Sequence, residues 1–413
     1  MLRLNRRQFI KTATGALIFA SSSSLLKSVG IAGEKPIRVG NILDKTGSLN
    51  IYSLNQITAV AMAVDEINAA GGLLGRPLEL LFYDSQSNNQ LNSLYTTQAL
   101  VKDKVHVLHA GITSSSREVM RPIVRKYKGL LFYNSNYEGG VCDRRHVCTA
   151  LVPGQQIMPM VEYVIKELGG KRGYILAADY NYGHITGKWY QKLIRENGGE
   201  DIGIEHFPLD VNNFAPVISR LQMAKPDVIW LSLVGSAHVA FYRQFHAAMG
   251  KNKPIMASSC FDSGMDQLQL SPDEAEGMIV STAFDDDLPK QSVKTWIDKF
   301  HKYVGNNDPV GTYGEMGYHG VYLWANAVKK AGSPDPDAVI AALDKTSFNG
   351  PGGLYTIDGK CNHTIMDVHL MRCNRQKKYD LIKSFSQRQP IDTQAVCDLV
   401  KNPGDTNQYE PKL

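Results

Sequence analysis

The chain contains no block of five or more basic residues, and its aromatic side chains are not interleaved with Arg and Lys. That excludes the basic, base-stacking groove of a nucleic-acid binder. No Gly-x-Ser-x-Gly elbow, Gly-x-Gly-x-x-Gly turn or His-Glu-x-x-His pair occurs, so the strongest cues for an α/β-hydrolase, a dinucleotide enzyme and a zinc protease are missing. The nearest approach to a phosphate loop, Gly183-His184-Ile185-Thr186-Gly187-Lys188-Trp189, has three residues between its glycines where four are needed. It also places Trp where a hydroxyl should hold magnesium. Beyond the first thirty residues no stretch approaches the roughly 18 apolar residues of a membrane-spanning helix. No cofactor is implied, and the six cysteines include no tight Cys-x-x-Cys pair of the kind that zinc sites use.

What is present is the balance of a globular protein. The 413 residues are 43% hydrophobic with a formal net charge of +5, and they exceed the roughly 250–300 at which one core stops growing, so two lobes are expected. At the N-terminus, Asn5-Arg6-Arg7-Gln8-Phe9-Ile10-Lys11 precedes a short apolar stretch (Ala16 to Ala20), a serine run and the small-residue site Gly30-Ile31-Ala32. This resembles a twin-arginine export signal, and residues 1–32 are read as one. The alternative, an amphipathic first helix of the folded domain, fits the basic and serine-rich flanks less well.

Buried-type strands then alternate with amphipathic helices, the pattern of parallel sheets covered on both faces. Strands are predicted at Ile37–Leu43, Leu78–Tyr83, Val105–Ala110 and Leu130–Tyr133. A second series of similar rhythm follows Pro153, with strands at Gly173–Ala178, Val228–Leu233, Ile255–Ser258 and Met278–Ala283. Later helices at Ser292–Tyr303 and Gly314–Ala331 are expected to return to the first lobe, and strands at Leu354–Ile357 and Asp367–Cys373 to join the second. The stretch from about Ser386 is expected to wrap the surface or lie loose.

Open parallel sheets bind ligands beyond the carboxyl ends of their strands. Hydroxyl-rich loops stand there: Thr113 to Ser116, Tyr133 to Glu138, Asp179-Tyr180-Asn181-Tyr182, Val234-Gly235-Ser236 and Ser258 to Asp262. Ser114 to Ser116 equally suit a helix cap, a role compatible with presenting free backbone N–H groups to a ligand. Tyr180 and Tyr182 suit either a core or a cleft, and their place just after a strand favours the cleft. Asp285-Asp286-Asp287 reads as a solvated loop or helix start in preference to a cation site.

Six cysteines fit an oxidising compartment if some are paired. Cys142 with Cys148 would close a small loop, and Cys361 with Cys373 would join a predicted strand pair. The rival for the second pair uses Cys361, His363, His369 and Cys373 as metal ligands, since all four share parity on a strand.

At these loops the sequence resembles the type I periplasmic solute-binding proteins of branched-chain amino acid, urea and amide uptake. The likeness rests on Thr46-Gly47, Ala63 to Gly72 and Leu74-Gly75-Arg76-Pro77-Leu78. Tyr133 to Gly139, Asp179 to Tyr182 and Asn362-His363-Thr364 look most like the urea and short-chain-amide branch. Ile112, Asn134 and Asn136 depart from the amide pattern, which has an aromatic at the first position and prolines at the other two.

The resemblance implies an α/β protein of two doubly wound, Rossmann-like lobes. Residues 36–153 with about 284–345 would form the first, 154–283 with about 346–385 the second, and 386–413 a C-terminal extension. It further implies a ligand site of Ser114, Tyr133, Ser135, Tyr180, Tyr182, Val234, Gly235, Cys260 and Asp262. The implied function is binding of urea, a short amide or an amino acid, without turnover, for delivery by a monomer or weak dimer to an ABC transporter permease. Asp262 would pair with the ammonium in the amino-acid case. Two other roles are open: an exported amidase using Cys260 or a serine, for which no base is signalled, and a sensory module with a protein partner.

Overall fold

The computed structural model describes residues 35–250, 253–261 and 265–413; the export-signal reading of residues 1–32 and the role of Asp262 fall outside them. The first series runs β1 (Ile37–Leu43), α1 (Asn50–Ala69), β2 (Leu78–Asp84), α2 (Asn89–Thr97), β3 (Val107–Ala110), α3 (Ser114–Lys126), β4 (Leu131–Tyr133) and β5 (His146–Cys148). Its strands pair in parallel in the order β2-β1-β3-β4-β5. The second runs α4 (Ile157–Lys166), β6 (Arg172–Ala178), α5 (Asn181–Glu196), β7 (Glu200–Phe207), α6 (Ala215–Ala224), β8 (Val228–Ser232), α7 (Ser236–Met249), β9 (Ile255–Ser258), α8 (Pro272–Ala275) and β10 (Ile279–Thr282). It repeats the same plan, β7-β6-β8-β9-β10, again parallel.

Each sheet is therefore doubly wound, and its central strands are largely apolar because helices cover both faces, with Asn41 of β1 and His109 of β3 as buried polar exceptions. Every residue of β8, from Val228 to Ser232, is buried. The edge strand β7 is half-exposed throughout, and it carries no apolar run by which the sequence would announce it.

After β10 the chain forms α9 (Gln291–Val304), α10 (Gly311–Ala331) and α11 (Pro336–Ala342). The hydroxyls of Tyr318 and Tyr322 on α10 both donate to Glu66 of α1, at 2.7 and 2.8 Å, so this helix lies on the first series. Asp286 accepts from the N–H groups of Val310 and Gly311 at 2.8 and 2.9 Å, a carboxylate at the positive end of α10.

Four strands and a short helix close the chain: β11 (Ser347–Asn349), β12 (Leu354–Asp358), β13 (His363–Cys373), β14 (Tyr379–Arg388) and α12 (Ile391–Gln394). β13 belongs to both sheets. His363 pairs with Cys148 of β5, whereas His369 to Arg372 run antiparallel to β10. The strand Leu354–Ile357, expected on the second lobe, instead pairs with the first residues of β13 beside β5. The switch of sheets occurs inside one continuous strand, which periodicity does not mark.

That continuity also corrects the cysteines. Cys361 and Cys373 are separated by nearly the whole of β13, about 40 Å at strand rise, and a disulfide needs Cα atoms within about 7 Å; both are free and buried. His363 and His369 lie about 20 Å apart for the same reason, so the four residues cannot share a metal. Among the described residues no group of three or more His, Cys, Asp or Glu side chains is placed to hold one.

Cys142 pairs with Cys397, not with Cys148. Cys148 ends β5 with its thiol buried, donating to the Ala150 carbonyl at 3.5 Å, while Cys142 faces the C-terminal tail. The tail is not loose. Cys142 N–H donates to Asn407 O and Tyr409 N–H to Gly140 O, each at 2.8 Å. A Cβ on Gly140 would fall 1.9 Å from the Tyr409 carbonyl oxygen, so only glycine lets the tail lie this close.

Candidate interlobe binding site

In a sheet ordered 2-1-3-4-5 the loops on either side of the first strand leave in opposite directions, opening a crevice between the first and third strands. Here two such crevices face each other. The first lobe contributes Tyr52 at the start of α1 and Ile112, Thr113 and Ser114 after β3; the second contributes Tyr180 and Tyr182 after β6 and Val234 after β8. Asn136 after β4, Cys260 after β9 and Tyr313 at the start of α10 complete the wall. The cavity is small, about 20 Å³, little more than a water-sized sphere occupies. A larger hollow, about 590 Å³, lies at the amino ends of β9 and β10 by Ile255 and Ile279, the end of a parallel sheet that lacks these loops.

Of the residues expected at the site, Ser114, Tyr180, Tyr182, Val234 and Cys260 line this cavity. Tyr133, Ser135 and Gly235 stand one layer behind. The Tyr133 hydroxyl donates to Ile112 O at 2.8 Å and that of Ser135 to Gly111 O at 3.1 Å, so both hold the loop that follows β3. Gly235 donates its N–H to the Tyr52 hydroxyl at 2.7 Å, which joins the lobes. Its φ of 70° and ψ of −147° fall where essentially only glycine is found.

The aromatic groups are neutral donors and acceptors. Burial holds the phenols of Tyr52, Tyr180 and Tyr182 well above the ordinary tyrosine range. Tyr182 Oη lies 2.9 Å from both Ser259 Oγ and Cys260 Sγ, and Ser259 Oγ lies 3.0 Å from Ser232 Oγ, a hydroxyl chain that fixes the ring. Tyr52 packs on Tyr313 and Tyr180 on Tyr182, with ring centroids 5.7 and 6.0 Å apart.

Asn136 supplies the most specific feature. Its Oδ1 accepts from Leu151 N–H at 3.1 Å, which assigns the two ends of the amide, and its Nδ2 is buried with no hydrogen-bond partner among the described residues. A buried donor of this kind is costly unless something accepts from it.

Behind Ser114 lies a fully buried ion pair. Arg117 Nη2 meets Glu138 Oε1 at 2.7 Å, Glu138 also accepts from the Ser114 hydroxyl, and Gln408 of the tail donates to Glu138 at 2.5 Å. The Arg117 guanidinium lies 4.6 Å from the Tyr137 ring centre. Glu138 thus places a negative charge, neutralised by Arg117, at the amino end of α3, where an anionic ligand would otherwise find only N–H groups.

Tyr52, Ile112, Thr113, Asn136 and Tyr313 line the cavity beyond the residues expected from the sequence. Tyr52 follows β1 and obeys the same carboxyl-end rule. Asn136 lies inside a loop already singled out, but its role depends on which end of its amide is engaged. Tyr313 carries no signal, because it begins a helix beyond an irregular crossing.

Loops from both lobes thus meet around one small enclosed cavity. Residues 36–378 match the family described as "Periplasmic binding protein", and the chain belongs to it. A leucine-, isoleucine-, valine-, threonine- and alanine-binding protein of Pseudomonas aeruginosa is 24% identical over 83% of this chain and 89% of its own length. Among solved structures, an ABC-transporter solute-binding protein of Rhodopseudomonas palustris in complex with 3,4-dihydroxybenzoic acid superposes with a TM-score of 0.77 at 20% identity, covering 86% of this chain and 99% of that one. A leucine-binding protein of Thermotoga maritima gives 0.72 at 18% identity, covering 85% and 99%. This chain therefore shares the two-lobed fold of these solute-binding proteins.

Proposed function

We propose that the cleft takes a small uncharged polar solute of the urea or short-chain-amide class. The observation that carries this reading is the buried, unpartnered Nδ2 of Asn136 in a cavity whose described lining contains no charged side chain. A carbonyl oxygen accepts from that donor, tyrosine rings cover a planar solute, and hydroxyls such as that of Tyr182 take up its N–H groups. The cavity's size favours a molecule of a few heavy atoms, and the absence of a counter-charge in the lining disfavours a buried ion. Ser114, Tyr180, Tyr182, Val234, Cys260 and Asn136 contact the ligand in this reading, with Tyr133, Ser135 and Gly235 as supports. The protein reaches the periplasm by the twin-arginine route and hands its solute, unaltered, to a permease.

A second reading, an amino acid, is favoured by two observations. Curated relatives are named for such ligands, and Asp266, fully buried, is near enough to Tyr52 to raise its phenol further. It would supply an ammonium partner in that case. Thermal melts of ligand-stripped protein against urea, acetamide, leucine, alanine and 4-hydroxybenzoate separate the readings. A concentration-dependent rise with urea or acetamide alone supports the first; a rise only with amino acids or the aromatic acid overturns it. Ammonia release from acetamide would establish an amidase instead.

A further inference from the structure

We propose that the first lobe carries a second small-molecule site, a groove between α1, β2 and α9 that takes a neutral aromatic molecule bearing one hydrogen-bond donor, a phenol in chemical class. The groove encloses about 540 Å³ and shares no lining residue with the interlobe cavity. Its size is typical of small-molecule pockets. Ile57 of α1, Leu80 and Phe82 of β2, and Phe300 and Val304 of α9 form apolar walls. Phe82 keeps 37% of its surface in water, so the groove is open to solvent.

The polar group that makes this a site is Asn41, which is fully buried on β1 and contributes to the lining. Its Nδ2 donates to the His109 carbonyl at 2.8 Å, which fixes the nitrogen and oxygen ends of the amide. Its Oδ1 is buried with no partner among the described residues. In register, Asn41 stands between His109 of β3 and Phe82 of β2. With the nitrogen engaged on the β3 side, the oxygen faces the β2 side, where the groove lies.

An occupant with a hydroxyl or ring N–H satisfies this acceptor while its apolar body covers the walls. The exposed charges Lys45 and Asp308 belong to the lining as well, but a charged group on the ligand would have to leave water for the apolar floor. The occupant is therefore neutral.

The test titrates phenol into the purified protein by ligand-observed NMR, with toluene as the shape-matched molecule lacking a donor. Phenol is expected to bind saturably and about fivefold more tightly than toluene, the effect of one net hydrogen bond. Asn41→Leu should abolish that preference. Thr58→Trp, made at a half-buried α1 position in the groove, should remove binding of both probes without touching the floor, and it decides the matter if Asn41→Leu does not fold. Equal binding of phenol and toluene, or no saturable binding, overturns the proposal. So does phenol binding that survives Thr58→Trp, since it would place the probe outside this groove.

Discussion

The hydroxyl of Tyr52 in the first lobe accepts the backbone N–H of Gly235 in the second across 2.7 Å. This bond exists only when the lobes are together, so it stabilises the closed state and contributes nothing to the open one. Tyr52→Phe should therefore weaken solute binding about fivefold, as expected for one net hydrogen bond, and leave the melting temperature of the ligand-free protein nearly unchanged. Calorimetric titration and a thermal melt of the same variant check both halves. Loss of stability without loss of affinity would assign Tyr52 to the core.

Asn136→Ala removes the unpartnered donor of a cavity-lining residue together with the acceptor for Leu151 N–H. Affinity should fall by roughly ten- to a hundredfold, the range for a buried hydrogen bond to a ligand. Asn136→Asp keeps the acceptor and replaces the donor with a carboxylate. It should bind a carbonyl ligand no better than the alanine variant, and competition titration will measure the difference.

The Cys142–Cys397 bridge closes a long loop, with a sequence separation of 255. Cross-links of this length stabilise by about 2–5 kcal/mol, mainly by restricting the unfolded chain. Reduction, or Cys142→Ser, should lower the melting temperature by several degrees. Mass spectrometry of the unreduced protein should recover the linked peptide pair, with Cys148, Cys260, Cys361 and Cys373 alkylated only after unfolding, since all four are buried.

His363 is buried against the Tyr137 hydroxyl, with Nδ1 2.7 Å from the Cys361 carbonyl. Burial pushes its pKa down to about 4. Its folded value thus lies below the unfolded value near 6.5. The unfolded chain binds the extra proton between these limits, so the stability that neutral His363 contributes is present above about pH 6.5 and is lost as pH falls toward 4. The loss is of order 3 kcal/mol. Urea-denaturation midpoints across this window should fall for the wild type and be flatter for His363→Gln. His369, also near 4, sustains part of the slope in that variant.

The parallel strands were legible in the sequence wherever both faces are covered. Val228 to Leu231 is an unbroken apolar run because water reaches neither side of β8, and the half-exposed β7 carries no such run for the opposite reason. The loops that build the cleft were legible too, since the carboxyl-end rule depends on strand direction alone. Which residue of a loop reaches the cavity was not. Tyr133 and Ser135 turn back to hold Gly111 and Ile112, while Asn136, from the same loop, enters the wall. The Cys142 partner lies 255 positions away, and no local pattern encodes such a distance.

The strand shared by both sheets sets the mechanics of the receptor. Because His363 is hydrogen-bonded into one sheet and His369 to Arg372 into the other, the lobes cannot part as two bodies on a slack tether. Between those pairings Thr364 and Ile365 are still held by β12, and Met366 and Val368 already by β14, so relative motion of the lobes has to twist a hydrogen-bonded ribbon, a short elastic shaft that turns more readily than it stretches.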